Sequence, residues 1–318
     1  MATFSFELYP PRTAAAKSAL YASLDHLVAS GPDFISVTYG ANGSSRDSSL
    51  GVLRHLLEAE VSPMAHLTCV GSSYASASLL IREFLDAGIR SFLALRGDPP
   101  AEVVEGESFI GDLGSAGELV QLIHHVQAER APFSEREVPG FPGARRISAG
   151  EKVTIAVAAF PNGHPRSRSR TQDLDALLAK EAAGANLAIT QLFFQAEDYL
   201  RFVAAARTAG VRMPILPGIM PISSARRLQR VVDLSGEAAP VALSRALEAT
   251  DDADAQRAIG VDHAIQLCRG LLDGGAPGLH LYTLNEHTNV LAVLEGTGLL
   301  DGAHRRSSTD HRRQGASS

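Results

Sequence analysis

An apolar stretch, FSFEL (4–8), carries one acid, Glu7, three residues before Pro10 and Pro11. A buried strand seldom holds a carboxylate without a partner or a task. Other apolar runs also close on polar side chains. SFLALRGD (91–98) ends in Arg96, Gly97 and Asp98, PMAHLTCV (63–70) holds His66 and Thr68, and DFISVTY (33–39) ends in Thr38 and Tyr39. Phe160 is followed closely by His164; NLAITQLFF (186–194) carries Thr190 and Gln191, and GLHLYTLN (278–285) carries Tyr282, Thr283 and Asn285. Any one of these alone also reads as a polar residue capping a strand. As a set they read as chemistry. Glu7 and Asp98 sharing a mouth with Arg96, His66 and Gln191 can have their pKa values held apart, so that one carries a proton to donate and the other stays a fixed negative charge.

A mouth of that kind needs strands that end together. The chain alternates strand and helix: apolar runs at 4–8, 33–39, 63–70, 91–98, 153–160, 186–194, 213–220 and 278–285 are separated by segments of helical spacing. The first helix is predicted over 13–30, with Thr13 as its N-cap. Two or three helices fill 223–273. Eight such units make either a closed (β/α)8 barrel or an open doubly wound sheet. No G-x-G-x-x-G follows the first strand, which favours the barrel, a single domain over 1–299 with chemistry at the C-terminal strand ends. Residues 132–152, with three prolines and three glycines and no clear period, read as a surface excursion, and 300–318 as a disordered tail.

Composition sets the outer limits. At 45% hydrophobic and 20% charged over 318 residues, the chain can bury one large core. A net charge of −6 gives no pull toward nucleic acid or an anionic membrane. Cys69 and Cys268 form neither a disulfide framework nor a zinc spacing, so they read as core residues and no metal is expected. No basic segment leads into an apolar run at the N-terminus, so a cytoplasmic protein is expected. Oligomeric state is not legible.

The stretches FSFELYPPR, ISVTYGANGSSRD, HLTC, LALRGDPP, VAAFPNGHP, AGANLAITQLFF, PILPGIMPIS and LHLYTLN occur in this order. Together they resemble the catalytic domain of methylenetetrahydrofolate reductases of the short bacterial type, over nearly residues 3–298. The resemblance implies a (β/α)8 barrel that reduces 5,10-methylenetetrahydrofolate to 5-methyltetrahydrofolate, a small folate substrate, at the expense of NADH or NADPH. It makes Glu7 the general acid that protonates N10 as the imidazolidine ring opens to a 5-iminium cation, partial burial keeping its proton in place near neutral pH. It sets Asp98 beside the pterin, where its charge favours the cation. Gln191, Tyr282 and Thr38 are expected on the substrate, and His66, Arg96, Phe160, His164, Asp173 and Lys180 on the cofactor.

FAD is the family norm, and here the sequence departs from it. Ala176 and Ala179 stand where the family places an Asn and an Arg that hold FAD, Ser115 stands for a tyrosine, and Phe160 for another. Ala225 replaces an aromatic that stacks on substrate, and Glu286 an arginine. Each lost hydrogen bond to a charged phosphate is worth about 1.5–3 kcal/mol. The three arginines of RSRSR (166–170) could grip the pyrophosphate of FAD or of NADH, or lie in a solvated loop. The departures point to a variant that binds FAD weakly or not at all, like the flavin-independent members found in actinobacteria, with hydride passing straight from the nicotinamide. The FAD-dependent reductase on the same barrel, and a folate-binding paralogue without catalysis, stay as alternatives.

Overall fold

The computed structural model describes residues 2–38, 46–97, 111–130, 134–137, 145–148 and 153–300. Tyr39, Asp98, most of the 132–152 excursion and the tail beyond residue 300 lie outside these.

The elements follow in the order β1 (Thr3–Leu8), α1 (Ala14–Ala29), β2 (Phe34–Val37), α2 (Arg46–Glu58), β3 (Pro63–Thr68), α3 (Tyr74–Asp86), β4 (Ser91–Leu95) and α4 (Ala116–Arg130). A short antiparallel hairpin, β5 (Ser134–Glu137) with β6 (Arg145–Ser148), lies within the excursion. Then come β7 (Thr154–Ala159), α5 (Arg170–Ala182), β8 (Leu187–Thr190), α6 (Ala196–Ala209), β9 (Ile215–Leu216), β10 (Gly218–Ile219), α7 (Ala225–Ser235), α8 (Val241–Glu248), α9 (Ala253–Asp273), β11 (Gly278–Tyr282) and α10 (Thr288–Thr297).

The main sheet runs β10-β11-β1-β2-β3-β4-β7-β8-β9, every pair parallel. β9 and β10 are two halves of one strand. The residue between them is Pro217, which has no N–H for a ladder; its carbonyl accepts from His280 N at 2.9 Å. β9 pairs with β8, β10 pairs with β11, and the ring of eight strands closes through this broken seventh member. The sequence predicts one strand over 213–220; the proline splits it. Gly218 N donates to the Thr190 side chain, Oγ1, at 2.8 Å. A side chain at Gly218 would run into Thr190 O and come 2.8 Å from Tyr282 Oη.

Strands buried on both faces read as continuous apolar runs. One large core packs the outer barrel face against the helices, with Phe4, Phe6, Leu8, Leu24, Ile81 and Phe92 among its members. The lower lumen is filled by Met64, Leu93, Ala156, Ile189 and Leu216. Helix starts follow their caps: Thr13 Oγ1 accepts from Ala16 N as the sequence predicts, and Ser73, Ser169, Ser224 and Asp252 cap α3, α5, α7 and α9. The eighth barrel strand stops at Tyr282 rather than 285. Thr283 N and Oγ1 both donate to Glu7 O, and Leu284 and Asn285 turn to positive φ. Cys69 and Cys268 are buried free thiols. Among the described residues no helix is long and apolar enough to cross a membrane.

Candidate active site

Residues two apart on a strand share a face. Ser5 and Glu7 on β1, Met64 and His66 on β3, and His280 and Tyr282 on β11 follow this rule, and register sets Glu7 beside Ser36 on one side and Tyr282 on the other. Above the apolar lumen, the C-terminal ends of the strands open into a cavity of about 710 Å³.

Glu7 stands at its floor, with its side chain 23% exposed. Its Oε2 lies 3.5 Å from His280 Nε2 and 3.6 Å from His66 Nε2, and both imidazoles are buried. Neither Nε2 has a partner at hydrogen-bond distance, nor has the buried Ser36 hydroxyl. His280 Nδ1 is 2.8 Å from Ser5 Oγ, and Phe34 stacks against the His280 ring. The His280 tautomer is thereby tied to the proton on Glu7. A ring protonated at Nε2 donates to the carboxylate, and one protonated at Nδ1, donating to Ser5, can only accept from the carboxylic acid.

Burial pushes the Glu7 pKa up, but His66, His280 and Ser36 push it down and prevail, so the carboxyl sits below its ordinary value. This corrects the expectation that burial keeps Glu7 protonated. Burial pushes His66 down, against the pull of Glu7. Desolvation and the Glu7 charge hold the Tyr282 hydroxyl far above its usual value, so it stays neutral and donates to Thr190 O at 2.9 Å.

The same cavity is lined by Thr38, Arg96, Phe160, His164, Gln191 and Tyr282, and by Asp173 and Lys180 of α5. Gln191 Oε1 accepts from Leu192 N at 2.9 Å, which leaves its amide NH2 to donate to a ligand. Phe160 meets His164 edge to face, ring centroids 4.7 Å apart. His164 Nδ1 accepts from Arg166 N at 3.1 Å, so its Nε2 carries the hydrogen. Asp173 accepts from His164 N and from the Ser167 hydroxyl. Glu7, Thr38, His66, Arg96, Phe160, His164, Asp173, Lys180, Gln191 and Tyr282 are all on this cavity, whereas Thr68, Ala225, Thr283, Asn285 and Glu286 are not among the residues that line it. Asp98 lies outside the described residues, and β4 is followed as far as Gly97.

The positions that the resemblance assigns to FAD contacts are poor in donors. Ala176 lines the cavity and Ala179 is an exposed residue of the same helix. The Ser115 hydroxyl accepts from Glu118 N at 3.2 Å at the start of α4, while Glu118 Oε2 accepts from Gly114 N at 2.8 Å. Lys180 Nζ donates to Ala158 O at 2.9 Å, and burial lowers its pKa to about 8, with Asp173 pulling it up. Among the described residues no three His, Cys, Asp or Glu side chains gather as a metal site.

The family profile described as methylenetetrahydrofolate reductase matches residues 1–298. The chain belongs to that family. It is 34% identical to the 5,10-methylenetetrahydrofolate reductase of Salmonella typhimurium over 94% of this chain and 91% of that one. It is 33% identical to methylenetetrahydrofolate reductase (NADH) 1 of Arabidopsis thaliana, over 98% of this chain but 50% of the plant protein. It thus spans about half the length of its plant relatives and about nine-tenths of the enterobacterial ones. Among solved structures, a Clostridium thermocellum protein described as binding two copies of 5-methyl-5,6,7,8-tetrahydrofolic acid shares the fold, with TM-score 0.58 and 13% identity over 95% of this chain and 96% of that one.

Sequence reading missed His280, Ser5 and Ser36 around Glu7. The signal was present. His280 is two residues before Tyr282 and Ser5 two before Glu7, so alternation alone puts each on the face of a residue already singled out.

Proposed function

We propose that this chain reduces 5,10-methylenetetrahydrofolate to 5-methyltetrahydrofolate with a reduced nicotinamide dinucleotide. The observation that carries the reading is the Glu7 carboxyl at the cavity floor, flanked at 3.5 and 3.6 Å by two buried imidazoles. A folate laid over that floor covers the exposed part of Glu7, and this loss of water raises its pKa toward the working range of an acid. Glu7 gives its proton to N10, and the bond between N10 and the bridging methylene breaks with its electron pair going to nitrogen. The methylene becomes an iminium carbon on N5 and accepts a hydride, yielding the methyl group. The balance is one folate, one reduced dinucleotide and one proton in, and methylfolate and oxidised dinucleotide out. The Gln191 amide orients the pterin, Thr38 and the Tyr282 ring bound it, and Asp98 is assigned from sequence as the charge that favours the cation.

The α5 positions that the resemblance gives to FAD do not fit it. Ala176 and Ala179 carry no donors and the Ser115 hydroxyl is engaged at the start of α4, while Lys180 bonds Ala158 O with one of its three N–H groups. Hydride therefore passes straight from nicotinamide to the iminium carbon. The test is anaerobic NADH or NADPH oxidation by flavin-stripped full-length protein. Oxidation that needs methylenetetrahydrofolate and is indifferent to added FAD is expected; no oxidation until FAD is supplied returns the chain to the flavin-dependent reaction, and folate binding without oxidation under either condition makes it a binding protein.

A further inference from the structure

Beyond His164 the mouth continues into a second chamber of about 550 Å³, set between the loop after β7, the first turns of α5 and α6, and the end of α7. The two spaces share Gly163, His164, Ser167, Asp173, Ser235 and Glu237, so one extended ligand can occupy both. The chamber has two chemically distinct walls. On one, Arg168 and Arg170 lie at the start of α5, whose backbone N–H groups and dipole also favour an anion. On the other, the Asn162 amide nitrogen donates to both Asp198 Oδ2 at 3.2 Å and Glu237 Oε2 at 2.7 Å, holding two carboxylates side by side. Arg201 fixes Asp198 from outside. Phe194, Pro165 and Ala238 supply apolar surface. Burial pushes the Glu237 pKa up, with Asp198 adding to it and the Asn162 hydrogen bond opposing it.

We infer that this chamber takes the adenosine end of the dinucleotide, with the pyrophosphate at the arginine wall and the ribose diol on Glu237, and that it selects the dinucleotide lacking a 2′-phosphate. A carboxylate accepts from both hydroxyls of a ribose, whereas a phosphate on the 2′ oxygen meets Glu237 and Asp198 as a third negative group. The inference rests on the reductase reading for its ligand class. The folate's glutamate tail is the poorer occupant, because its carboxylates meet the same repulsion.

Calorimetry on the full chain with ADP-ribose and with 2′-phospho-ADP-ribose tests this without turnover. Wild type is expected to bind ADP-ribose about tenfold or more tighter than its 2′-phosphate. Glu237→Gln narrows that ratio about tenfold, and the shape-conserving Asp198→Asn narrows it by less, each variant being checked by its thermal transition. Equal binding of the two probes, no binding of ADP-ribose, or a ratio unmoved in both folded variants overturns the assignment. Displacement of ADP-ribose by p-aminobenzoyl-triglutamate gives the chamber to the folate tail and also overturns it. A protein that shows the probe preference but oxidises no NADH with folate keeps the subsite and loses the reductase reading; turnover with an insensitive ratio does the reverse.

Discussion

His66 Nε2 stands 3.6 Å from Glu7 Oε2, reaching across the barrel mouth from a strand that is not a neighbour of β1. The imidazole is buried and has no other partner for that nitrogen. His66 therefore bears on Glu7 as well as bordering the cavity, and it lowers the Glu7 pKa when charged.

Removing it shifts a pH profile. The proposed reaction needs Glu7 protonated, so kcat/KM is expected to fall as pH rises through its pKa. In His66→Gln the lowering influence of the imidazolium is gone, and that descending limb moves to higher pH. An unshifted limb would show that His66 does not act on Glu7.

Stability follows with its own sign. Both Glu7 and His66 have folded pKa values below their ordinary ones. A depressed value means the unfolded chain binds the proton more readily, so stability is present above the unfolded pKa and is lost as pH falls toward the folded one. For His66 that loss begins near pH 6.5 and for Glu7 near pH 4.3, roughly their unperturbed values. The thermal midpoint of wild type is expected to fall on acidification from about pH 7 to about pH 5, and less steeply in His66→Gln. Parallel curves would contradict this.

Ser5→Ala removes the hydrogen bond to His280 Nδ1. A net loss of about 1 kcal/mol in stability is expected. A fall of roughly tenfold in kcat is expected as well, because the ring loses the group that fixes its tautomer. Loss of stability with full kcat would confine Ser5 to packing.

Gly218→Ala presses a methyl against Thr190 O and the Tyr282 ring. Overpacking of this kind costs about 1–3 kcal/mol, and with Tyr282 proposed to bound the folate, KM for folate should rise more than kcat falls. Chemical denaturation and steady-state kinetics on one preparation check both.

Restoring donors tests the flavin argument from the other side. Ala176→Asn with Ala179→Arg supplies two groups for a pyrophosphate, each worth about tenfold or more in affinity. Fluorescence titration is expected to show tighter FAD binding in the double variant. Equal affinity in the two proteins would mean these positions are not where FAD selectivity is set.

The barrel was legible because its strands are continuous apolar runs and its helices carry caps such as Thr13 that name their own first residue. The Pro217 break was not: MPILPGIM is apolar throughout, and only the closing register shows that each half pairs with a different neighbour. The β5–β6 hairpin escaped because four-residue strands of sequence SERE and RRIS have no apolar alternation to read. At the site, Glu7 announced itself as an acid in an apolar strand. Its protonation did not, because that depends on His66 and His280, which lie dozens to hundreds of residues away in sequence and meet only when the ring closes. The second chamber was foreshadowed only by the arginines of RSRSR; Asn162, Asp198 and Glu237 come from three separate loops and helices.

The most direct test of the central claim is the rate of hydride transfer from NADH to methylenetetrahydrofolate in Glu7→Gln, measured with the folate shown to bind. Glutamine keeps the shape and cannot deliver a proton, so kcat should fall by about 10²–10⁴ while folate affinity stays within a few-fold. A variant that reduces methylenetetrahydrofolate at the wild-type rate would contradict the assignment of Glu7 as the acid.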